Sequence, residues 1–138
     1  MLRVPGRSIL QSDERGLPVA TENVEGTEHD FQHPRRIGST RLDHAFTDLK
    51  RDQDGLARVE LRDSDRGMQV SLWVDQSYPY FMIFSGDSLP NFNRRSLAVE
   101  PMTCPPNAFR TRDALVRLEP GSSLTSTWGI ARGSAQGL

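Results

Sequence analysis

An all-β fold is predicted by three observations. Apolar and polar residues alternate with a period of two along several segments, Gly and Pro punctuate the chain at short intervals, and helix signals are nearly absent. With 11 Gly and 9 Pro among 138 residues, long uninterrupted helices have little room. The spacing of the strand signals suits about eight short strands in a sandwich or barrel.

The elements follow in chain order. Residues 11–41 carry few strand signals and read as a long loop, marked by Gly16-Leu17-Pro18, Glu25-Gly26-Thr27 and His33-Pro34. Structureless loops of that length are uncommon in a small independent domain, so this one is expected to drape over a larger sheet. Asp52-Gln53-Asp54-Gly55 and Asp63-Ser64-Asp65-Arg66-Gly67 supply the Asp and Gly of hairpin turns. Between them, Val59 and Leu61 alternate with Arg58, Glu60 and Arg62. Val70, Leu72 and Val74 then alternate with Gln69, Ser71 and Asp75, with Trp73 on the polar side. Tyr80-Phe81-Met82-Ile83-Phe84 is apolar on both faces and reads as a central strand covered on two sides. Glu119-Pro120-Gly121 is a further turn. Leu124, Trp128 and Ile130 form the last alternating segment, and residues 132–138 read as a flexible tail.

Composition excludes several classes of function. The chain has 17 basic and 18 acidic residues, a net charge of -1, and so no charge excess for nucleic acid or an anionic membrane surface. Its longest apolar run, at residues 80–84, is far too short for a bilayer-spanning helix, and the N-terminus has no apolar signal core. Cys104 stands alone, which rules out a disulfide framework and fits a reducing cytoplasm. No Gly-rich phosphate loop is present.

Four groups of residues could carry chemistry. In Leu97-Ala98-Val99-Glu100-Pro101, a carboxylate ends an apolar strand before a proline-rich loop. Pro101 biases Glu100 to extended backbone, and apolar walls around a carboxylate raise its pKa, as a general base requires. The ordinary alternative is an exposed strand-end glutamate. Asp43, beside His44, could accept hydrogen bonds from a polyol, or satisfy a local turn. His29 and His33 are four residues apart, but Pro34 disfavours the helix that would put them on one face. They read as solvated loop histidines, and no metal is expected. Cys104 has only Thr103 and Pro105 as neighbours, so it reads as an inert thiol. Trp73, Tyr78, Tyr80, Phe84 and Trp128 include rings that could stack on a sugar, although core packing is the commoner use of each.

Several of these stretches, in their order, resemble the aldose 1-epimerase (galactose mutarotase) family, in particular a compact bacterial, actinobacterial-looking branch. They are Val4-Pro5-Gly6-Arg7-Ser8, Asp13-Glu14-Arg15-Gly16-Leu17-Pro18, Val24-Glu25-Gly26-Thr27 with Asp30-Phe31, and Leu42-Asp43-His44-Ala45-Phe46-Thr47-Asp48-Leu49. Val70-Ser71-Leu72-Trp73-Val74-Asp75 and Phe84-Ser85-Gly86-Asp87 continue the series. The most specific run is Glu100-Pro101-Met102-Thr103-Cys104-Pro105-Pro106-Asn107-Ala108-Phe109. The resemblance covers residues 1–131 and only the C-terminal half of the family domain, an antiparallel β-supersandwich about twice this length.

The resemblance implies an isomerase that interconverts the α and β anomers of a free hexose or related aldose, without cofactor or metal. Glu100 matches the catalytic base, and Asp43 matches the aspartate that grips sugar hydroxyls. The family's arginine and two histidines, one of them the acid in a His-Pro-Tyr motif, belong upstream of this sequence. His33-Pro34-Arg35 is not that motif. Arg112 stands where relatives tend to have Gly. Met82 stands where galactose-preferring members tend to have Gln. The implied partner is therefore the missing N-terminal half, which would also give residues 11–41 their sheet. A catalytically inactive carbohydrate-binding remnant of the same fold is the alternative. Glycoside hydrolysis by Asp43 and Glu100 would need a defined carboxyl separation that sequence does not supply.

Overall fold

The computed structural model describes residues 1–91 and 93–134. Among the described residues there are nine strands, arranged in two antiparallel sheets, and one short helix. In chain order the strands are β1 (Leu2–Arg3), β2 (Gly6–Ser12), β3 (Pro18–Asn23), β4 (Asp43–Leu49), β5 (Ala57–Asp63), β6 (Met68–Val74), β7 (Tyr80–Phe84), β8 (Ala98–Met102) and β9 (Trp128–Ser134). The helix, α1 (Ala108–Thr111), lies between β8 and β9. One sheet has the order β1-β5-β6-β9 and the other the order β3-β2-β4-β7-β8.

The alternating segments form the strands they predict. Ala57 pairs with Val74 and Asp63 with Met68, so β5 and β6 make a hairpin closed at Ser64–Gly67. Arg58, Glu60 and Arg62 face out, while Val59 and Leu61 face the other sheet. The first Asp-Gly turn behaves differently. Asp52-Gln53-Asp54-Gly55 turns as expected, with Gly55 at φ 79° and its N–H on the Asp52 carbonyl. It joins β4 of one sheet to β5 of the other, so it is a crossover and not a hairpin. Arg51, just before it, donates to the carbonyls of Asp75 (2.9 Å), Tyr78 (3.0 Å) and Val74 (3.4 Å). One guanidinium thereby ties the end of β6 to the start of β7, and so one sheet to the other.

Three other expectations change. The segment 11–41 contains strand residues: β2 runs to Ser12, and β3 adds an edge strand. All but the first residue of β3 are exposed, so it carries no apolar alternation to read. The true loop, 24–41, does drape over the sheets. Val24 and Phe31 are fully buried, Arg35 stacks 4.4 Å from the Phe31 ring centroid, and Leu2 and Arg35 exchange backbone hydrogen bonds. The strand β7 is covered on one face only. Phe81 and Ile83 are fully buried, whereas Tyr80, Met82 and Phe84 are half-buried on the outer face. Finally, β9 starts at Trp128, not Leu124, and continues through Ser134, which takes in part of the expected tail. Residues 135–138 lie outside the described residues.

The core lies between the sheets and is anchored by Phe31, Phe46, Phe81, Ile9, Val4 and Leu2. Backbone approach here is close. A Cβ built on Gly6 would lie 2.7 Å from the Phe46 Cβ. Gly6→Ala should therefore lower stability by about 1–3 kcal/mol in urea denaturation, an overpacking cost. Gly133→Ala, which meets nothing within 4 Å, should stay within about 0.5 kcal/mol of the parent.

Candidate functional site

Each strand of the five-stranded sheet has a dry face and a wet face, because side chains alternate. In β4, Phe46 and His44 turn inward, and Asp43, Ala45 and Thr47 turn outward. Paired residues of antiparallel strands share a face. Glu100 pairs with Met82, Met82 with Ala45, Ala45 with Leu10, and Leu10 with Thr21. This row crosses all five strands on the outer face, with Glu100 at one edge of the sheet. Asp43 lies on the same face, two residues along β4 from Ala45. Two strand spacings and two residues separate it from Glu100, about 12 Å between Cα atoms. The structure therefore brings both sequence candidates to one surface.

Their surroundings correct one expectation. Glu100 lies in the middle of β8, because the strand continues through Pro101 to Met102. Pro101 is accommodated since β8 is an edge strand and its missing N–H forfeits no ladder bond. The Glu100 side chain is exposed, as in the ordinary alternative for it, and the apolar walls of the general-base reading are not formed in this structure. Asp43 is also exposed, but its backbone is well held. The buried Ser85 hydroxyl accepts the N–H of Leu42 at 2.9 Å, and the Ser85 N–H donates to the Leu42 carbonyl at 2.8 Å. Ser85 in turn donates to the Asp87 carboxylate, which Arg94 also contacts at 2.7 Å. These two donors, Ser85 first, hold the Asp87 carboxyl below the usual carboxylate range. This clamp was not legible, because Leu42 lies 43 residues from Ser85 and no local pattern joins it to the Ser85–Asp87 segment or to Arg94.

A groove of about 260 Å³ opens over the middle of this row, lined by Leu10, Ala45, Met82 and Pro106 together with Asp13, Glu14 and Asp43; Glu100 and Thr21, the ends of the row, do not line it. An aliphatic floor with a carboxylate rim suits a ligand that has C–H faces and hydroxyl edges. The rings proposed for stacking divide. Tyr80 and Phe84 share the outer face with Glu100. Trp73 lies across Gly129 on the outer face of the other sheet, and Trp128 is half exposed on that sheet's inner face. Tyr78 packs against the core, its hydroxyl 3.1 Å from that of Ser126.

The histidines lie elsewhere. His44 faces inward, opposite to Asp43 and Glu100, and its ring centroid is 4.4 Å from that of His29. His29 and His33 are in irregular backbone, as Pro34 implied, and His29 packs on His44 instead of joining His33. Cys104 is a half-buried free thiol beyond β8.

A second surface stands out. The inner face of the four-stranded sheet is buried at Val74 (0% exposed) but open at Val70 (43%) and Ile130 (65%). There Val99 of β8 and Leu97 just before it face Leu61, Val70, Leu72 and Ile130 of the other sheet across an apolar cleft of about 300 Å³. The β8 and β9 edges flank it.

Comparison with known proteins adds to this geometry. The family model described as aldose 1-epimerase matches residues 1–131. The uncharacterised protein YihR of Escherichia coli K12 is 31% identical over 121 residues, which is 88% of this chain and 36% of that protein. Among solved structures, a GalM/aldose epimerase homologue from C. elegans superposes with a TM-score of 0.78 at 17% identity, over 98% of this chain and 46% of its own. A putative aldose 1-epimerase from E. coli K12 gives 0.72 at 19%, over 96% and 45%. At such identities the structural likeness is one of fold, the antiparallel galactose-mutarotase type. The chain spans about a third of the curated relative and under half of each solved structure, as a half-domain match would.

Burial, and next the neighbouring His29 charge, hold the His44 pKa below 6.5, against the opposing pull of Asp43, Glu28 and Glu22. The folded state then binds fewer protons at His44 than the unfolded state does. His44 stabilisation is full above the unfolded value and is lost as pH falls through 6.5 and below. The loss of stability between pH 7 and pH 5, followed by urea denaturation, should be smaller in His44→Gln than in the parent.

Proposed function

Because this chain belongs to the aldose 1-epimerase family, we propose that it serves the interconversion of α and β anomers of a free hexose, with Glu100 as base. The observation that carries this reading is the shared outer face of Glu100, Met82, Ala45 and Asp43. The Glu100 carboxylate takes the proton of the anomeric hydroxyl. The C1–O5 bond breaks, and its electron pair goes to O5, which takes a proton from an acid. Rotation about C1–C2 and the reverse transfers close the other anomer. Asp43 accepts hydrogen bonds from sugar hydroxyls and fixes the ring over the Leu10–Ala45–Met82 floor. General acid and base each contribute about 10²–10⁴-fold to such a step.

The acid is proposed to come from the N-terminal half of such a domain. His44 turns away from this face, and His29 packs on it. The apolar cleft between Val99 and Ile130 is the surface proposed to receive that half, since covering exposed Val70 and Ile130 is favourable. The lone Cys104 accords with the cytoplasm as the compartment. The same histidine positions favour a second reading for the chain by itself: a carbohydrate-binding remnant without turnover.

Polarimetry separates the two. Mutarotation of fresh α-D-glucose and α-D-galactose is followed with this chain, alone and with the part of YihR it does not cover. The epimerase reading expects acceleration in the mixture, reduced at least about 10²-fold by Glu100→Gln, and a raised KM in Asp43→Asn. The remnant reading expects sugar-dependent thermal stabilisation with no acceleration in either sample. Neither acceleration nor stabilisation would sink both.

A further inference from the structure

We infer that the chain by itself forms a twofold dimer in which the exposed inner face at β9 of each copy covers that of the other. The inference concerns the apolar cleft and does not depend on the roles given to Glu100 and Asp43. Val59, Leu72 and Ile130 form one inner-face row across β5, β6 and β9. Along that row Val59 is 2% exposed, Leu72 half-buried and Ile130 65% exposed. Cover from the five-stranded sheet thus ends over β6, and β9 projects beyond it. At the other end of the sandwich β3 is likewise exposed, but there the inner face carries Glu22, paired with Ile9, and water suffices as cover. One overhang is polar and the other is apolar.

The strand edges point the same way. β1 is two residues long, β3 begins at Pro18 beside a register shift, and β8 holds Pro101. Short strands, prolines and bulges blunt an edge against further pairing. β9 runs seven residues in unbroken register with β6, contains neither Pro nor Lys, and has no neighbour on its far side among the described residues. A second copy fits this shape. Both copies carry the same offset between sheets, so a half-turn about an axis along the strands sets overhang against overhang. β9 of each copy then lies beside β8 of the other. Pro101 interrupts a continuous ladder there, so apolar side chains carry the contact. Their area is sufficient. Leu61, Val70, Trp128 and Ile130 are between 43% and 65% exposed, which is roughly 400 Å² per copy and roughly 800 Å² per dimer. Homodimer interfaces are about 65% apolar, so the whole contact comes to about 1,200 Å², the lower bound for a specific stable interface.

Sedimentation equilibrium of the chain at micromolar concentration tests this. The parent should sediment at twice its 15.5 kDa. Ile130→Glu and Val70→Glu each place an unpaired carboxylate in the contact. Each should raise the dissociation constant at least about hundredfold and leave monomer. Val19→Glu, at a 66% exposed position of β3, should stay dimeric. Melting curves verify that all three variants fold, as substitutions at exposed positions allow. The part of YihR that this chain does not cover should compete for the same cleft and convert the dimer to a one-to-one complex. A dimer that persists in that mixture upholds the dimer and overturns the cleft as the place of the N-terminal half. A monomeric parent, a mass that climbs past the dimer without limit, or a dimer that survives both Ile130→Glu and Val70→Glu overturns the inference, and each leaves the sugar reading of Glu100 to the polarimetry.

Discussion

One constraint organises the molecule: the five-stranded sheet must keep one face dry. Ile9, Phe46, Phe81 and Ile83 have almost no exposure, and they are buried against Leu2, Val4 and Phe31. Strand geometry allows no independent choice for their neighbours. If Phe46 points in, Ala45 points out. If Phe81 and Ile83 point in, Met82 points out, and its partner Glu100 goes with it. The surface that carries Asp43 and Glu100 is thus the obligatory reverse side of the core. A slip of one residue in any of these pairings would bury a carboxylate and expose a phenylalanine, at a cost of several kcal/mol for the charge alone.

The two sheets are joined at one end and part at the other. Arg51 collects carbonyls from the end of β6 and the connection to β7, and Phe31 of the long loop belongs to the core cluster. Arg94 likewise holds the segment after β7 to the Gly38 and Thr40 carbonyls. Toward β8 and β9 an apolar cleft opens between the sheets, and apolar rows that begin buried at Ala57 and Val74 end half exposed at Val70 and Ile130. Open strand edges beside exposed apolar rows are what proteins usually cover. Such a surface fits a chain that occupies under half the length of the structures it superposes on. The proposed catalytic and docking surfaces lie on opposite faces of β8: Glu100 on one, Val99 on the other. A partner against Val99 would therefore leave the face that carries Glu100 open.

What could be read from the sequence followed from local pattern. β5, β6 and β7 were legible because each alternates or is densely apolar, and the Gly67 and Gly121 turns because positive φ favours glycine. β3 was not, since an exposed edge strand has no apolar face to betray it. The crossover at residues 52–55 read as a hairpin, because turn chemistry is the same whether the next strand joins its own sheet or the opposite one. Leu124 matched the alternation of Trp128 and Ile130, yet β9 pairs with β6 only from Trp128 onward.

The sequence by itself determined the all-β class, the family motifs and the two carboxylate candidates, because alternation, turn residues and short motifs are local properties. Only the tertiary structure decided that Asp43 and Glu100 share a face while His44 turns from both. Only it decided that β7 is wet on one side, that Ser85, Asp87 and Arg94 brace the start of β4, and that a groove opens beside Asp43 over Leu10, Ala45 and Met82. Those facts depend on which strands pair and in what register. Register is set by burying Phe46 and Phe81 together, a contact between residues 35 positions apart that no local pattern encodes.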